Sequence, residues 1–257
     1  MPCFVPFSNK DLQLSFFIFR HVDVSADDLL DALKLFSFFT EDLGCIYSSI
    51  FKTIHGNMIV WYGAWIRRPD LQRRMLSDHL ISALANVSHL AVLLDYGFFE
   101  SYVGESKDGR PFAKFLSGDT ISMSAMTPNS SEAMADLSYA CIALLKSYYL
   151  KNDGITAGVC FSCLDKPMLA SMQVWKSLDS CYAWLINSNY RKNIRPYISP
   201  LSSDAQYEVF KVMYVSTDEL LGINLLPSLK MIRHGDHMHG YQVEEEGEDG
   251  KNGTNTA

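Results

Sequence analysis

Residues 45–66 read CIYSSIFKTIHGNMIVWYGAWI, two apolar runs on either side of a short polar turn. Runs rich in Ile, Val, Tyr and Trp that are joined by a glycine-containing turn predict a β-hairpin. Residues 155–175, ITAGVCFSCLDKPMLASMQVW, have the same form. A constant offset of 110 residues superposes the two segments and brings Trp65 onto Trp175. The chain is therefore predicted to contain two copies of one structural unit.

The sequence around each hairpin extends the repeat. A Phe- and Ile-rich strand and a helix precede the first hairpin, and a helix and a strand follow it, which gives the order βαββαβ. The same order is predicted again around the second hairpin. The predicted boundaries are 12–103 for the first unit, 104–118 for a glycine-rich linker, 119–215 for the second unit and 216–257 for a C-terminal extension that is disordered from about residue 233.

The repeated order predicts an α+β fold. Each βαββαβ, or ferredoxin-like, unit forms a four-stranded antiparallel sheet with both helices on one face, which leaves the other face apolar and uncovered. Packing the two sheets against each other within one chain covers both faces. We therefore expect tandem duplicated units packed sheet to sheet as an intramolecular α+β barrel.

Composition and charge exclude several classes of protein. The chain has 257 residues and a net charge of −7, the wrong sign for general attraction to nucleic-acid phosphates. Its longest uncharged apolar run, residues 58–66, is too short to cross a bilayer as a helix. The N-terminus lacks a basic, apolar signal segment, so we expect a location in the cytoplasm, the nucleus or both, with the six cysteines reduced.

Two resemblances add to this interpretation. Residues 174–215, with WKS, a helix containing YAW, and the strand YEVFKVMYVS, resemble the stress-responsive and monooxygenase-like dimeric α+β barrel proteins. Over its whole length, with MPCFVPF, SSIFKTIHGNMIVWYGAW, GES, DLSYAC, TAGVC and VWKSLDSCYAW, the chain resembles a plant-specific family of intracellular proteins with no assigned function. The resemblance brings no catalytic residues with it, and no cofactor is expected.

Aromatic residues at equivalent positions of the two hairpins are candidates for the walls of a ligand cavity between the sheets. The alternative is that they simply form the core, since aromatic residues at symmetric strand positions are commonly buried. The candidates are Phe51, Tyr62, Trp65, Phe161 and Trp175.

A cluster of arginines precedes and begins the second predicted helix. Its members are Arg67, Arg68, Arg73 and Arg74. Positive charge is disfavoured at a helix N-terminus, and a bound anion or the acidic patch of a protein partner would remove the conflict. A solvated basic face, docking of the acidic C-terminal residues and a nuclear import signal are the alternatives.

Two further patterns bear on metal binding. Cys160 and Cys163 have the CxxC spacing of redox and zinc sites, but residues three apart on a strand point to opposite faces, so we expect ordinary buried cysteines. His234, His237 and His239 are weak candidate metal ligands in the acidic tail, and no metal is expected to be required.

The sequence predicts two functions of different classes. The first is a non-catalytic interaction or regulatory protein with a protein partner, without direct nucleic-acid or membrane binding. The second is a small-molecule-binding protein or cofactor-independent monooxygenase-like enzyme that uses an aromatic barrel cavity. An open cavity of a few hundred Å³ that holds a titratable group would favour the second, and a barrel filled with side chains would favour the first.

Overall fold

A computed structural model of the protein describes residues 2–22, 26–188, 192 and 194–216. The strands are β1 Cys3–Pro6, β2 Leu12–His21, β3 Cys45–Thr53, β4 Met58–Ile66, β5 Ala91–Ser106, β6 Phe112–Phe115, β7 Thr120–Pro128, β8 Ile155–Cys163, β9 Leu169–Trp175 and β10 Ser202–Val215. The helices are α1 Ala26–Asp42, α2 Asp70–Leu84, α3 Ala133–Leu144, α4 Leu178–Asn187 and α5 Arg195–Ile198.

The first helix shows how the sequence sets a local boundary. Asp27 and Asp28 lie in the first turn of α1, where negative charge is favourable beside free backbone N–H groups. Leu33 and Phe36 are buried on the face that packs on the sheet. Gly44, with φ of +89°, then takes the left-handed conformation that ends the turn and directs the chain into β3.

Eight of the strands close into a barrel in the order β10-β3-β4-β2-β5-β8-β9-β7, with each neighbouring pair antiparallel. Each half of the chain contributes four adjacent strands in the ferredoxin-like order, β3-β4-β2-β5 and β8-β9-β7-β10. The halves join through β5–β8 and β10–β3. The predicted α+β fold, built from two βαββαβ units as an intramolecular barrel, is confirmed.

Strand register relates the two halves residue by residue. Ser15 on β2 lies opposite Gly63, and Ser122 on β7 lies opposite Gln173, which is 110 residues after Gly63. Equivalent strands lie on opposite sides of the barrel and, because every neighbouring pair is antiparallel, run in the same direction. A pseudo-twofold axis therefore follows the barrel axis, and equivalent residues lie at the same end.

The strands in the middle of each half, such as β4 and β9, are buried on both faces. On β4, Val60 and Tyr62 point into the barrel lumen, whereas Trp61 and Trp65 point outward beneath α1 and α2. The second half repeats this arrangement, with a separate outer cluster beneath its helices. Two-sided burial explains why these strands are continuously apolar in sequence.

The segment predicted as a linker takes part in the core. Within it, β6 pairs antiparallel with β1 to form a separate two-stranded sheet. The Phe115 ring contacts the Phe51 ring at 5.5 Å between centroids, and Tyr62 Oη donates a hydrogen bond to the Phe4 carbonyl oxygen over 3.1 Å. Phe7 packs so closely on Gly104 that a Cβ there would lie 2.1 Å from its ring. We call this sheet, with Phe7, the plug, because it fills one end of the lumen.

The C-terminal extension predicted for residues 216–257 lies outside the described residues except for Ser216. In the described part of the chain, no helix is both long and apolar enough to span a bilayer.

Candidate functional site

The lumen is open at the end opposite the plug. There, a cavity of about 390 Å³ lies between the ends of β2, β4, β5, β7, β9 and β10. Pockets of this size commonly enclose small organic molecules. Its wall includes three phenylalanine rings and three methionine thioethers, from Phe16, Phe99, Phe210, Met58, Met123 and Met168. We call this space the lumen cavity.

One acidic side chain lines the lumen cavity below its rim. Glu208 on β10 lies directly opposite Met123 on β7 and two residues before Phe210. Burial alone raises the pKa of the Glu208 carboxyl above its ordinary value. Among the described residues, the carboxylate has no hydrogen-bond or ion-pair partner. It is therefore an acid that a bound molecule can reach and that the protein leaves uncompensated.

The two halves differ at this position. Phe16 on β2 and Met123 on β7 occupy equivalent positions in the two halves. Gly97 lies opposite Phe16 and Glu208 lies opposite Met123, so Gly97 and Glu208 are equivalent as well. A Cβ at Gly97 would lie 3.1 Å from the sulfur of Cys163, which leaves little room there for a side chain. The wall is thus polar on one side and tightly packed on the other.

Other polar groups surround the open rim. Lys166 Nζ contacts a carboxylate oxygen of Asp95, so these two charges offset each other. Gln206 Nε2 donates a hydrogen bond to Asp204 Oδ2 over 2.9 Å. Arg20 is exposed at the end of β2 and lines the same opening. The rim can therefore orient a polar group of an entering molecule.

Three of the five predicted cavity residues point into the lumen. Phe51, Tyr62 and Phe161 belong to the lumen cluster. Phe161 lies behind the cavity wall, 5.6 Å from the Phe16 ring, and Phe51 and Tyr62 pack against the plug. They support the lumen cavity from below and do not line it.

The other two predicted cavity residues, Trp65 and Trp175, face the helices, so their assignment to the space between the sheets is wrong. Trp65 Nε1 donates to Ser15 Oγ over 2.9 Å, and Trp175 Nε1 donates to Ser122 Oγ over the same distance. Both rings are almost completely buried. They are equivalent core anchors of the two outer clusters.

A second cleft, of about 490 Å³, lies outside the plug, and Trp175 borders it. Charged residues dominate its rim, and some of them interact with each other, as Lys107 Nζ does with Asp153 Oδ1 at 3.5 Å. The lumen cavity is the better candidate site because it combines an apolar wall with one uncompensated acid.

The predicted arginine patch is largely bound within the protein. Arg67 pairs with Glu100 at 2.9 Å, and Arg68 donates a hydrogen bond to the Leu43 carbonyl oxygen. Arg73 is buried. The structure therefore does not place the four guanidinium groups on a common free surface, and an anion or a partner bound by them stays a prediction.

Arg73 also connects the two halves. Its guanidinium contacts Asp70 at 2.7 Å and Asp165 at 3.4 Å, and Asp165 lies in the β8–β9 turn of the second half. Asp165 Oδ2 accepts a hydrogen bond from the Phe98 backbone N–H over 3.0 Å. Through Asp165, the β8–β9 hairpin of the second half thus interacts with α2 and β5 of the first half.

The CxxC pair shows the geometry expected of a strand. Cys163 belongs to the lumen cluster and Cys160 to the outer cluster of the second half, and burial raises the pKa of both thiols. No group of three or more His, Cys, Asp or Glu side chains suited to a metal occurs among the described residues. The predicted weak ligands His234, His237 and His239 lie outside those residues.

One domain family matches part of the chain in sequence. The profile of a family described as a domain of unknown function (DUF7392) matches residues 97–210, less than half of the chain. A comparison with curated proteins finds no match.

Solved structures with a similar fold include proteins of the monooxygenase type. An anthrone oxidase-like protein has a TM-score of 0.64 at 13% identity, over 83% of this chain and 95% of the other. A candidate monooxygenase from Fusobacterium nucleatum subsp. nucleatum has a TM-score of 0.57 at 9% identity, over 79% and 93%. Another from Lactobacillus acidophilus has a TM-score of 0.52 at 7% identity, over 80% and 96%. At these identities the likeness establishes a shared fold, the ferredoxin-like barrel.

Proposed function

We propose that the protein binds a small apolar molecule in the lumen cavity. The observation that carries this proposal is the open space of about 390 Å³, walled by rings and thioethers, with Glu208 inside it. A barrel that served only as a scaffold for a protein partner gains nothing from an unfilled interior, because unfilled volume reduces packing stability. The cavity therefore favours small-molecule binding over a purely regulatory role.

A neutral fluorescent probe tests the proposal. N-phenyl-1-naphthylamine, whose emission rises in apolar surroundings, should bind the wild-type protein at one saturable site. The Ala125→Phe variant adds a ring to the cavity wall and should weaken binding at least ten-fold. The control, Ala183→Phe, adds the same ring at an exposed position of α4 and should bind like the wild type.

Thermal melts establish that each variant is folded before titration. Equal affinity of Ala125→Phe and the wild type would show that the probe binds elsewhere and would refute the lumen site. Absence of probe binding to the folded wild-type protein would contradict the proposal as a whole.

A second candidate is a monooxygenase-like enzyme that oxidises a bound carbon acid without a cofactor. The fold shared with the anthrone oxidase-like protein supports it. Glu208 would accept a proton from the substrate, and overall one anthrone and one dioxygen would give anthraquinone and water. Oxygen uptake with anthrone should exceed that of the buffer and fall at least ten-fold in Glu208→Gln. Equal uptake by the two proteins would remove this candidate.

A further inference from the structure

Two side chains beside Glu208 favour an organic cation. The ring of Phe210 lies two residues away on β10, and the thioether of Met123 lies directly across on β7. Aromatic faces attract cations, and thioethers are polarisable apolar contacts that form no strong hydrogen bonds. None of these neighbours donates a hydrogen to the carboxylate.

The charged groups around the opening do not neutralise Glu208. Arg20 lies four residues beyond Phe16 on β2, about 13 Å further along the strand toward the rim. Lys166 is engaged with Asp95. Asp204 adds a further negative charge at the rim. Among the described charged groups that line the cavity, Glu208 therefore lies deepest, and it has no counter-charge.

A carboxylate partly removed from water and left unpaired is unfavourable, and burial raises its pKa for that reason. A ligand that brings its own positive charge removes this penalty when it binds. A neutral ligand leaves the penalty in place, and an anionic ligand adds repulsion. The free energy of binding thus depends on the charge of the ligand as well as on its apolar area.

We propose that the lumen cavity selects apolar molecules with a single protonated amine, whose ammonium group pairs with Glu208 while the apolar body lies between Phe16, Phe99 and Phe210. This inference rests on the proposed binding function and names its ligand class. It requires no catalysis and holds for an enzyme or for a carrier.

Three naphthalene compounds of matched size test the ligand class. They are 2-naphthylmethylamine, which is cationic at pH 7, 2-naphthalenemethanol, which is neutral, and 2-naphthoate, which is anionic. Each is titrated against the full-length protein by displacement of N-phenyl-1-naphthylamine. The amine should bind at least ten-fold more tightly than the alcohol, and the alcohol more tightly than the naphthoate.

The Glu208→Gln variant assigns the preference to one group. It should bring the ratio of amine to alcohol affinity close to one while the affinity for the alcohol stays within about two-fold of the wild type, which also shows that the cavity is intact. The control Glu105→Gln removes an exposed carboxylate of β5 outside the cavity and should keep the full preference.

The outcomes separate this inference from the proposed function. If the neutral probe binds in the lumen but the wild type shows no preference for the amine, or if the preference persists in Glu208→Gln, the cationic ligand class is wrong and lumen binding stands. If Ala125→Phe does not weaken the probe, the site itself is wrong and the inference falls with it.

Discussion

Replacing Trp175 with alanine distinguishes a core anchor from a ligand wall. The ring is 2% exposed and lies 5.7 Å from the ring of Trp184 on α4. Removal of a buried tryptophan typically lowers the free energy of unfolding by about 3–5 kcal/mol. The lost hydrogen bond adds little, because Ser122 keeps a second partner, Gln173 Oε1, at 2.8 Å. We therefore expect a loss of about 3–5 kcal/mol.

Urea denaturation followed by circular dichroism measures the loss. The control Ile186→Ala truncates a side chain that is 78% exposed on α4 and should change the free energy of unfolding by less than about 0.5 kcal/mol. Ser122→Ala should cost about 1–3 kcal/mol, because it leaves the indole N–H and the Gln173 carbonyl oxygen without this partner.

Probe binding supplies the second measurement. Because Trp175 faces the helices, folded Trp175→Ala should bind N-phenyl-1-naphthylamine with the affinity of the wild type. A loss of stability below about 0.5 kcal/mol would mean that the ring is not buried. A ten-fold loss of probe affinity in the folded variant would mean that it lines the binding site, and the assignment of the two faces would then be incorrect.

The remaining predictions concern Glu208, the contacts of Arg73 between the two halves, and the plug. The folded-state pKa of Glu208 is raised, so its ionised form destabilises the folded protein; this penalty is absent below the unfolded pKa of about 4.3 and develops as the pH rises. Glu208→Gln should therefore melt at a higher temperature than the wild type at pH 7 and at the same temperature at pH 3.5. Equal melting temperatures of the two proteins at both pH values would contradict the burial effect. Arg73→Met should lower the free energy of unfolding by about 1–3 kcal/mol in urea, because it removes a buried guanidinium that contacts two carboxylates, whereas the exposed control Arg74→Met should change it by less than about 0.5 kcal/mol. Similar losses in the two variants would show that the contacts of Arg73 with Asp70 and Asp165 contribute nothing. Gly104→Ala should destabilise the protein by about 1–3 kcal/mol in the same assay, because the added methyl group meets the Phe7 ring. This loss should disappear in a Phe7→Ala background, where the ring is absent. An undiminished loss would show that the strain has another source.

The element order was predictable because the two hairpins repeat at a constant spacing. The glycine-containing turn of 45–66 and the proline-containing turn of 155–175 mark the hairpins locally, and the offset between Trp65 and Trp175 links them. A fold made of two similar units follows from such local signals without knowledge of long-range contacts. The closed barrel follows from the need to cover two apolar sheet faces.

The face on which each aromatic residue lies was not predictable, because both faces of the strands are apolar. On β4, Tyr62 points inward and Trp65 outward, and both are completely buried, so alternation alone does not tell which face is the lumen. The plug was missed for another reason. Its two short strands are separated by more than a hundred residues, and their sequences carry no signal for the pairing.

The position of Glu208 in the lumen was also not predicted, although the sequence contains one signal for it. In the predicted strand YEVFKVMYVS, Glu208 has the same parity as Phe210 and Val212, which are core residues of the lumen. A carboxylate on the strand face that carries core residues is expected to lie inside the barrel, whereas one on the face that carries exposed residues such as Lys211 is expected to lie in solvent. That distinction requires knowledge of which register faces inward, and the structure supplies it.

The difference between the equivalent residues Gly97 and Glu208 shows what a barrel made of one continuous chain makes possible. In a barrel assembled from two identical chains, every lumen residue occurs twice, on opposite sides of the axis, so a lumen glutamate would face its own copy and the two like charges would oppose each other's ionisation. A single continuous chain escapes this constraint, because each half accumulates its own substitutions. The lumen cavity can then carry a carboxylate on one side and none at the equivalent position. An elongated ligand of the proposed class that enters from the open end would have one orientation in which its charged end meets Glu208.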